Sequence, residues 1–268
     1  MIVASLCLAA CQRDEPLFVA KTFSAETPPL GLASEALVKA TNEGLSHSGF
    51  VIGEGSRRNY VAKVALYRDT AMVAGKVIEK WRLRVALSPS DGGGEALPLE
   101  GVGEIAADEA VPKPAELRAV ADAAGAELAE QRKLLRKPAD EVKIALSSES
   151  RAVRDFAIRL AGARRIKALV PVLCQRLNDE PEPDLVLRVV GALVQIGDPA
   201  AVSPLAELTK RRHPFFINQI VYAVSQIGGA EAEAYLDTLA NGHPSEEVRE
   251  AAKEALSELL ARKSAKAR

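Results

Sequence analysis

The stretch Gln195-Ile196-Gly197-Asp198-Pro199-Ala200-Ala201-Val202-Ser203-Pro204-Leu205-Ala206 decides the fold of the second half of the chain. It reads as the end of one helix, a turn and the start of the next, because Gly197 can take the left-handed conformation that closes a helix. The same signals recur. Gln226-Ile227-Gly228-Gly229 repeats the helix end, and Ala168-Leu169-Val170-Pro171-Val172-Leu173 repeats Ala201 to Ala206. Val153, Val186, Ile217 and Val248 stand 33, 31 and 31 residues apart, and each opens a helix. The next apolar positions are Ala157, Val190, Val221 and Ala252, followed by Leu160, Leu193, Val224 and Ala255. The unit is therefore a helical hairpin, and such a period marks a stacked array. Four hairpins are expected: 139–147 with 150–163, 166–178 with 182–196, 199–211 with 214–227, and 230–241 with 245–262.

These residues resemble HEAT repeats of the short kind found in phycobilisome-lyase-like proteins. The likeness lies in the Val-(Arg)-x-x-Ala-x-x-(Ala)-Leu helix and the Ile-Gly-Asp-Pro-x-Ala-Val-x-Pro-Leu turn and helix. It implies an all-α solenoid over residues 138–268, a kind of array that generally serves as an extended protein-binding surface. One hairpin departs from its neighbours. Phe215 stands where they carry Asp184 and Glu246, and Phe216 replaces Leu185 and Glu247. Helical spacing keeps Phe215, Asn218, Gln219 and Tyr222 on a shared face, just after Lys210-Arg211-Arg212-His213. Together with Phe216 these are the candidate protein-interaction residues. Two readings of Phe215 stay open: an exposed contact point, or an inward side chain filling a gap between hairpins, as Phe most often does.

Residues 12–137 read as a small α/β domain. Leu17 to Phe23 is rich in β-branched and aromatic residues and ends before Thr27-Pro28-Pro29. Leu30, Ala33, Leu37, Ala40, Thr41 and Leu45 recur at helical spacing, and a short Phe50-Val51-Ile52 strand follows. Tyr60 to Tyr67 is a further strand. In Val77 to Leu87, the residues Val77, Trp81, Leu83, Val85 and Leu87 alternate with Lys80, Arg82 and Arg84, the pattern of a half-buried strand. A Ser90-Asp91-Gly92-Gly93-Gly94 loop leads to a strand at 96–106. Leu117, Val120, Ala121, Ala124, Leu128, Gln131 and Leu135 form a second helix stopped by Lys137-Pro138. This order predicts an antiparallel sheet with both helices on one face, and an α+β chain overall. The topology is similar to small domains of envelope lipoproteins, including those that activate peptidoglycan synthases. Lys80, Arg82 and Arg84 form either a basic stripe or a solvated face interleaved with acids, the second being the ordinary outcome.

Residues 1–11 read as a lipoprotein-type signal segment. Ile2 to Ala10 is apolar or small, and Gln12-Arg13-Asp14-Glu15 turns abruptly polar. Leu8-Ala9-Ala10-Cys11 resembles the bacterial lipobox, which implies lipidation of Cys11 and, with Gln12 next, sorting to the outer membrane facing the periplasm. The missing basic segment before it implies a start codon further upstream. If the segment is not a signal, the chain is cytoplasmic.

Composition narrows the chemistry. The chain has 35 Lys+Arg against 36 Asp+Glu, a net charge of -1, which leaves no basic excess for nucleic acid. Aromatics make up only 4% of residues, too few for a stacking platform. There is no Gly-x-Ser-x-Gly elbow, no P-loop and no His-Glu-x-x-His. Gly101-Val102-Gly103 lies in a strand, so it reads as structural rather than as a dinucleotide fingerprint. Cys7, Cys11 and Cys174 form neither a disulfide framework nor a zinc site. The expectation is a non-enzymatic, lipid-anchored envelope adaptor with no cofactor, no metal, no small-molecule substrate and an envelope protein as partner. Two alternatives stand beside it: a chromophore lyase or chaperone of the HEAT-like type, and a regulator of a cell-wall synthase acting through the α/β domain.

Overall fold

The computed structural model describes residues 16–29, 31–55, 59–73, 76–90, 97–107, 109–211 and 215–266. Cys11 and the segment around it lie outside these residues. The chain divides into two compact units, 1–129 and 130–268. The division falls inside the last helix of the α/β region, ahead of Lys137-Pro138.

In the first unit, strands β1 (Phe18–Ser24), β2 (Val51–Ile52), β3 (Asn59–Val73), β4 (Lys76–Pro89) and β5 (Leu99–Ala106) accompany helices α1 (Ser34–His47) and α2 (Pro114–Leu134). They form one five-stranded sheet in the order β2-β1-β3-β4-β5. The fold class is α+β, but the sheet is mixed rather than antiparallel throughout. β3, β4 and β5 pair antiparallel, whereas β1 runs parallel to both β2 and β3. The reason is the brevity of β2. After two residues the chain is still beside the start of β1, so β3 must set out in the same direction.

Alternation sorts the sheet into two faces. Tyr60, Ala62, Val64 and Leu66 of β3 join Trp81, Leu83, Val85 and Leu87 of β4 in the core. Leu37 and Leu45 of α1 and Leu117, Val120, Ala124 and Leu128 of α2 are buried with them. Val77 departs from this pattern: it is 66% exposed, because β3 and β4 run on as a two-stranded hairpin past the last pairs of β1 and β5. Its cross-strand neighbour Met72 is exposed as well.

Two glycines of β5 set the distance of α2 from the sheet. A Cβ on Gly101 would overlap the Ala124 carbonyl, and one on Gly103 would overlap the Val120 carbonyl. The helices meet each other the same way, since a Cβ on Gly44 would lie 2.6 Å from the Ala121 carbonyl. The Gly-x-Gly pair is a packing device.

The second unit holds α3 (Ala139–Ala145), α4 (Arg151–Ala163), α5 (Val170–Asp179), α6 (Pro183–Ile196), α7 (Val202–Arg211), α8 (Phe215–Ile227), α9 (Ala230–Gly242) and α10 (Glu246–Lys266). These are the four expected hairpins, with α10 running a turn longer. The second helices stack α4 on α6 on α8 on α10, and α5, α7 and α9 form the other layer. Gly197 has φ +68° and donates to the Leu193 carbonyl, while Asp198 accepts from the Ala200 N–H at 3.0 Å. The turn in the opening stretch is therefore a left-handed cap followed by a side-chain cap.

Arg154 and Arg249 hold equivalent places in the first and last hairpins. Arg154 donates to the carbonyls of Ser148 (2.9 Å) and Glu149 (3.0 Å), and Arg249 to those of His243 (2.7 Å) and Pro244 (3.0 Å). Each clamps the loop that precedes its helix. Arg154 also meets the fully buried carboxylate of Glu180, which ties the first hairpin to the second.

Gly103→Ala places a methyl group against the α2 main chain, which can retreat only by opening its packed contact with β5. The expected cost is about 1–3 kcal/mol, the range for overpacking a filled core. Urea unfolding followed by Trp81 fluorescence measures it, and a change near zero contradicts the close contact.

Candidate protein-interaction surface

The stacked second helices present corresponding rows of side chains to the outside. One row runs Arg151, Asp184 and Glu246; the next Asp155, Arg188, Gln219, Glu250; and a third Gly191, Tyr222 and Lys253, the equivalent Ile158 of α4 being buried. On α4 and α6 the charges in these rows are used up internally. Arg151 pairs with Glu182 and Asp184, and Asp155 accepts from Arg159 (2.8 Å) and Arg188 (3.0 Å). On α10, Glu246 pairs with Arg249 at 2.7 Å and Glu250 with Lys253 at 2.8 Å.

α8 interrupts this pattern. Its sequence, FFINQIVYAVSQI, has no charged residue. Tyr222 is 62% exposed, and Asn218 is exposed one turn earlier, its amide 3.5 Å from Glu247 on α10. Gln219 is partly covered, and its enclosed Oε1 has no hydrogen-bond partner. Phe216 does not belong to this surface: it is a core residue at 7% exposure. The geometry explains the correction, because Phe216 lies one turn before the buried Ile220 and so falls on the inward stripe of α8. Phe215 opens α8, and its side chain lies outside the described residues.

Sequence reading missed Gly191. It sits inside α6 beside Tyr222 in the row, exposed, and a Cβ built there meets nothing within 4 Å. No internal contact requires this glycine, although glycine inside a helix costs about 0.5–1 kcal/mol relative to alanine. The result is a shallow notch where main chain is open to a close neighbour. The only sequence signal was a glycine in the middle of a strongly apolar helix.

The remaining candidate groups resolve into structure. On the sheet, Arg82 pairs with Asp69 (2.8 Å) and Glu104 (2.5 Å), Lys80 with Glu104 (3.1 Å), and Arg84 with Glu100 (2.8 Å). The stripe is thus interleaved with acids. Partial burial pulls the Glu104 carboxyl upward, but the hydrogen bonds and charges of Lys80 and Arg82 outweigh it and hold it below its ordinary value. Burial, followed by the charge of Asp198, raises Cys174 to about 11, so the thiol is not a poised nucleophile at neutral pH. His47 bonds Asp122 at 2.9 Å, and His243 accepts from the Ser245 N–H at 3.1 Å as a turn residue. Among the described residues no three His, Cys, Asp or Glu side chains converge as a metal site, and no helix is long and apolar enough to cross a membrane.

No curated protein matches the chain in sequence. Residues 139–223 match the family model for HEAT repeats, a span that runs from α3 through most of α8. Arrays of this kind are commonly protein-interaction scaffolds; residues 139–223 are HEAT-like in sequence, and the helical hairpins continue beyond them through α9 and α10.

Proposed function

We propose that the chain is a non-enzymatic adaptor that binds a partner protein on the second-helix ridge, centred on Tyr222 of α8. The observation that carries this reading is the uncharged face of α8, set between the paired charges of Arg188 on α6 and of Glu246 and Glu250 on α10. Tyrosine combines large contact area with little conformational freedom to lose, and a neutral centre inside a polar rim is the usual anatomy of an interface hot spot. The Gly191 notch adds a place where partner main chain or a small side chain can approach. The partner is an envelope protein, and acyl chains on Cys11 hold the adaptor at the periplasmic side of the outer membrane. One acyl chain gives only marginal binding, so a diacylated or triacylated Cys11 is the form that anchors.

A photo-crosslinking residue at position 222 is expected to trap one discrete protein in envelope extracts, and the same residue at exposed Thr238 on α9 is not. Tyr222→Ala should weaken that partner's binding by tenfold or more, about 1.4 kcal/mol, with unchanged thermal stability. Equal trapping at both positions overturns the assignment of the ridge.

Gly191→Ala separates folding from binding. It is expected to stabilise the chain by about 0.5–1 kcal/mol in urea unfolding while weakening the partner trapped through Tyr222. Stabilisation with unchanged affinity removes the notch from the interface.

Intact-mass spectrometry after expression from an upstream start in a Gram-negative host tests the anchor. A species beginning at acylated Cys11, absent in Cys11→Ser, is expected; an unprocessed chain contradicts it.

A further inference from the structure

The sheet unit carries a second surface of a different kind, at the edge of β1. β2 pairs with β1 only through Phe18 and Val19, and the last bond on that side runs from the Gly53 N–H to the Val19 carbonyl. Gly53, at φ +131°, then turns the chain out of the sheet. Beyond that point, Lys21 to Ser24 pair with β3 on one side and with no strand on the other among the described residues. The Ala25 N–H donates to Val64 of β3, so by strand alternation the main-chain groups of Thr22 and Ser24 face the open edge. That edge is one wall of a cleft of about 770 Å³, with Ile52 at its end and α1 as the opposite wall. Thr22 is held there by a 2.6 Å hydrogen bond to Asn42 of α1.

The helix wall has a charge pattern with the right repeat. Glu35, Lys39 and Glu43 line the cleft at successive four-residue steps, and no ion pair among the described residues engages them. Four helical residues rise about 6 Å. Two strand residues rise about 6.6 Å. α1 returns the chain between the parallel strands β1 and β2, so its axis runs back along β1. A strand laid on the β1 edge would therefore set every second side chain opposite Glu35, Lys39 and Glu43 in turn.

We propose that this cleft binds an extended segment of a partner polypeptide by strand addition to β1. The segment carries basic, acidic and basic residues at alternate positions, complementary to Glu35, Lys39 and Glu43. Main-chain bonds to Thr22 and Ser24 supply affinity that is independent of sequence, and the helix wall supplies selection. The position continues the line of β2 that Gly53 vacates.

The test uses the full-length chain and a fluorescent peptide of the pattern Thr-Lys-Val-Glu-Val-Lys-Thr. Saturable binding is expected, with slowed hydrogen exchange at the Thr22 and Ser24 amides. N-methylation of the peptide at alternate amides should weaken it at least tenfold. Thr22→Pro, which removes an edge donor without touching the β3 ladder, should do the same, with circular dichroism checking the fold. Lys39→Glu, on an exposed position, should reverse the preference toward a peptide with Lys in place of its Glu. Absent saturation overturns the proposal, as does indifference to N-methylation, which would mark a side-chain cleft. Concentration-dependent dimerisation that protects Thr22 and Ser24 without peptide would assign the edge to a second copy and overturn it too.

Discussion

No hairpin of residues 139–266 can bury its apolar stripe alone, and the second unit follows from that constraint. Each hairpin completes the core of the one before it, so Val153, Val186, Ile217 and Val248 must recur at equivalent places and are all buried. The positions facing outward carry no such requirement. They are where the repeats diverge, from Arg188 to Gln219 to Glu250. The end of the stack needs a polar cover instead of another partner, and α10 supplies it with Glu247, Glu250, Lys253, Glu254 and Glu258 along its length. Arg154 and Arg249 clamp the loops of the first and last hairpins, while Leu187 and Asn218 occupy that place in the middle two.

The sheet unit obeys a different constraint, the close approach of main chain to main chain. Gly101 and Gly103 bring α2 down onto β5, and this proximity lets Glu127 of α2 accept from the Val102 N–H at 2.9 Å. One free edge of the sheet is thereby partly closed by a side chain from its own helix, a protection against unwanted strand pairing. The opposite edge is managed differently. β2 covers only the beginning of β1, and the rest faces the cleft along α1. Within one sheet the two edges have been treated asymmetrically.

Hairpin boundaries were legible because period and caps agree: Gly197 and Asp198 announce a helix end by local chemistry that tertiary packing does not override. The buried alternation of β4 was legible for the same reason. Strand direction was not. Whether β1 runs parallel or antiparallel to β3 depends on how far the chain travels in β2, and two residues of Val and Ile carry no message about that. Val77 shows a related limit, since alternation assigns a side chain to a face but not to the part of that face a helix covers. At the candidate surface, Asn218 and Tyr222 are both exposed one helical turn apart, whereas spacing alone gave no sign that Phe216 is buried. Gly191 was invisible because its significance lies in empty space beside it, which no single sequence displays.

Charge pairing gives the most direct reading of where this chain is complete and where it is not. The open face of the sheet looks basic along β4, yet Asp69, Glu100 and Glu104 neutralise it strand by strand. The ridge of α4 and α6 is likewise saturated by Asp155, Glu182 and Asp184. Exposed pairs of this kind add little stability, and a partner that displaced them would regain little in return. What they do is remove those surfaces from competition. The α8 face and the α1 wall depart from that pattern: α8 has no charge to pair, and Glu35, Lys39 and Glu43 are without ion-pair partners among the described residues. A surface that is internally satisfied resists association, whereas one with aromatic area, an enclosed amide oxygen or an open strand edge gains free energy when covered. The α8 face and the β1 edge differ enough in chemistry that a single partner segment would not fit both.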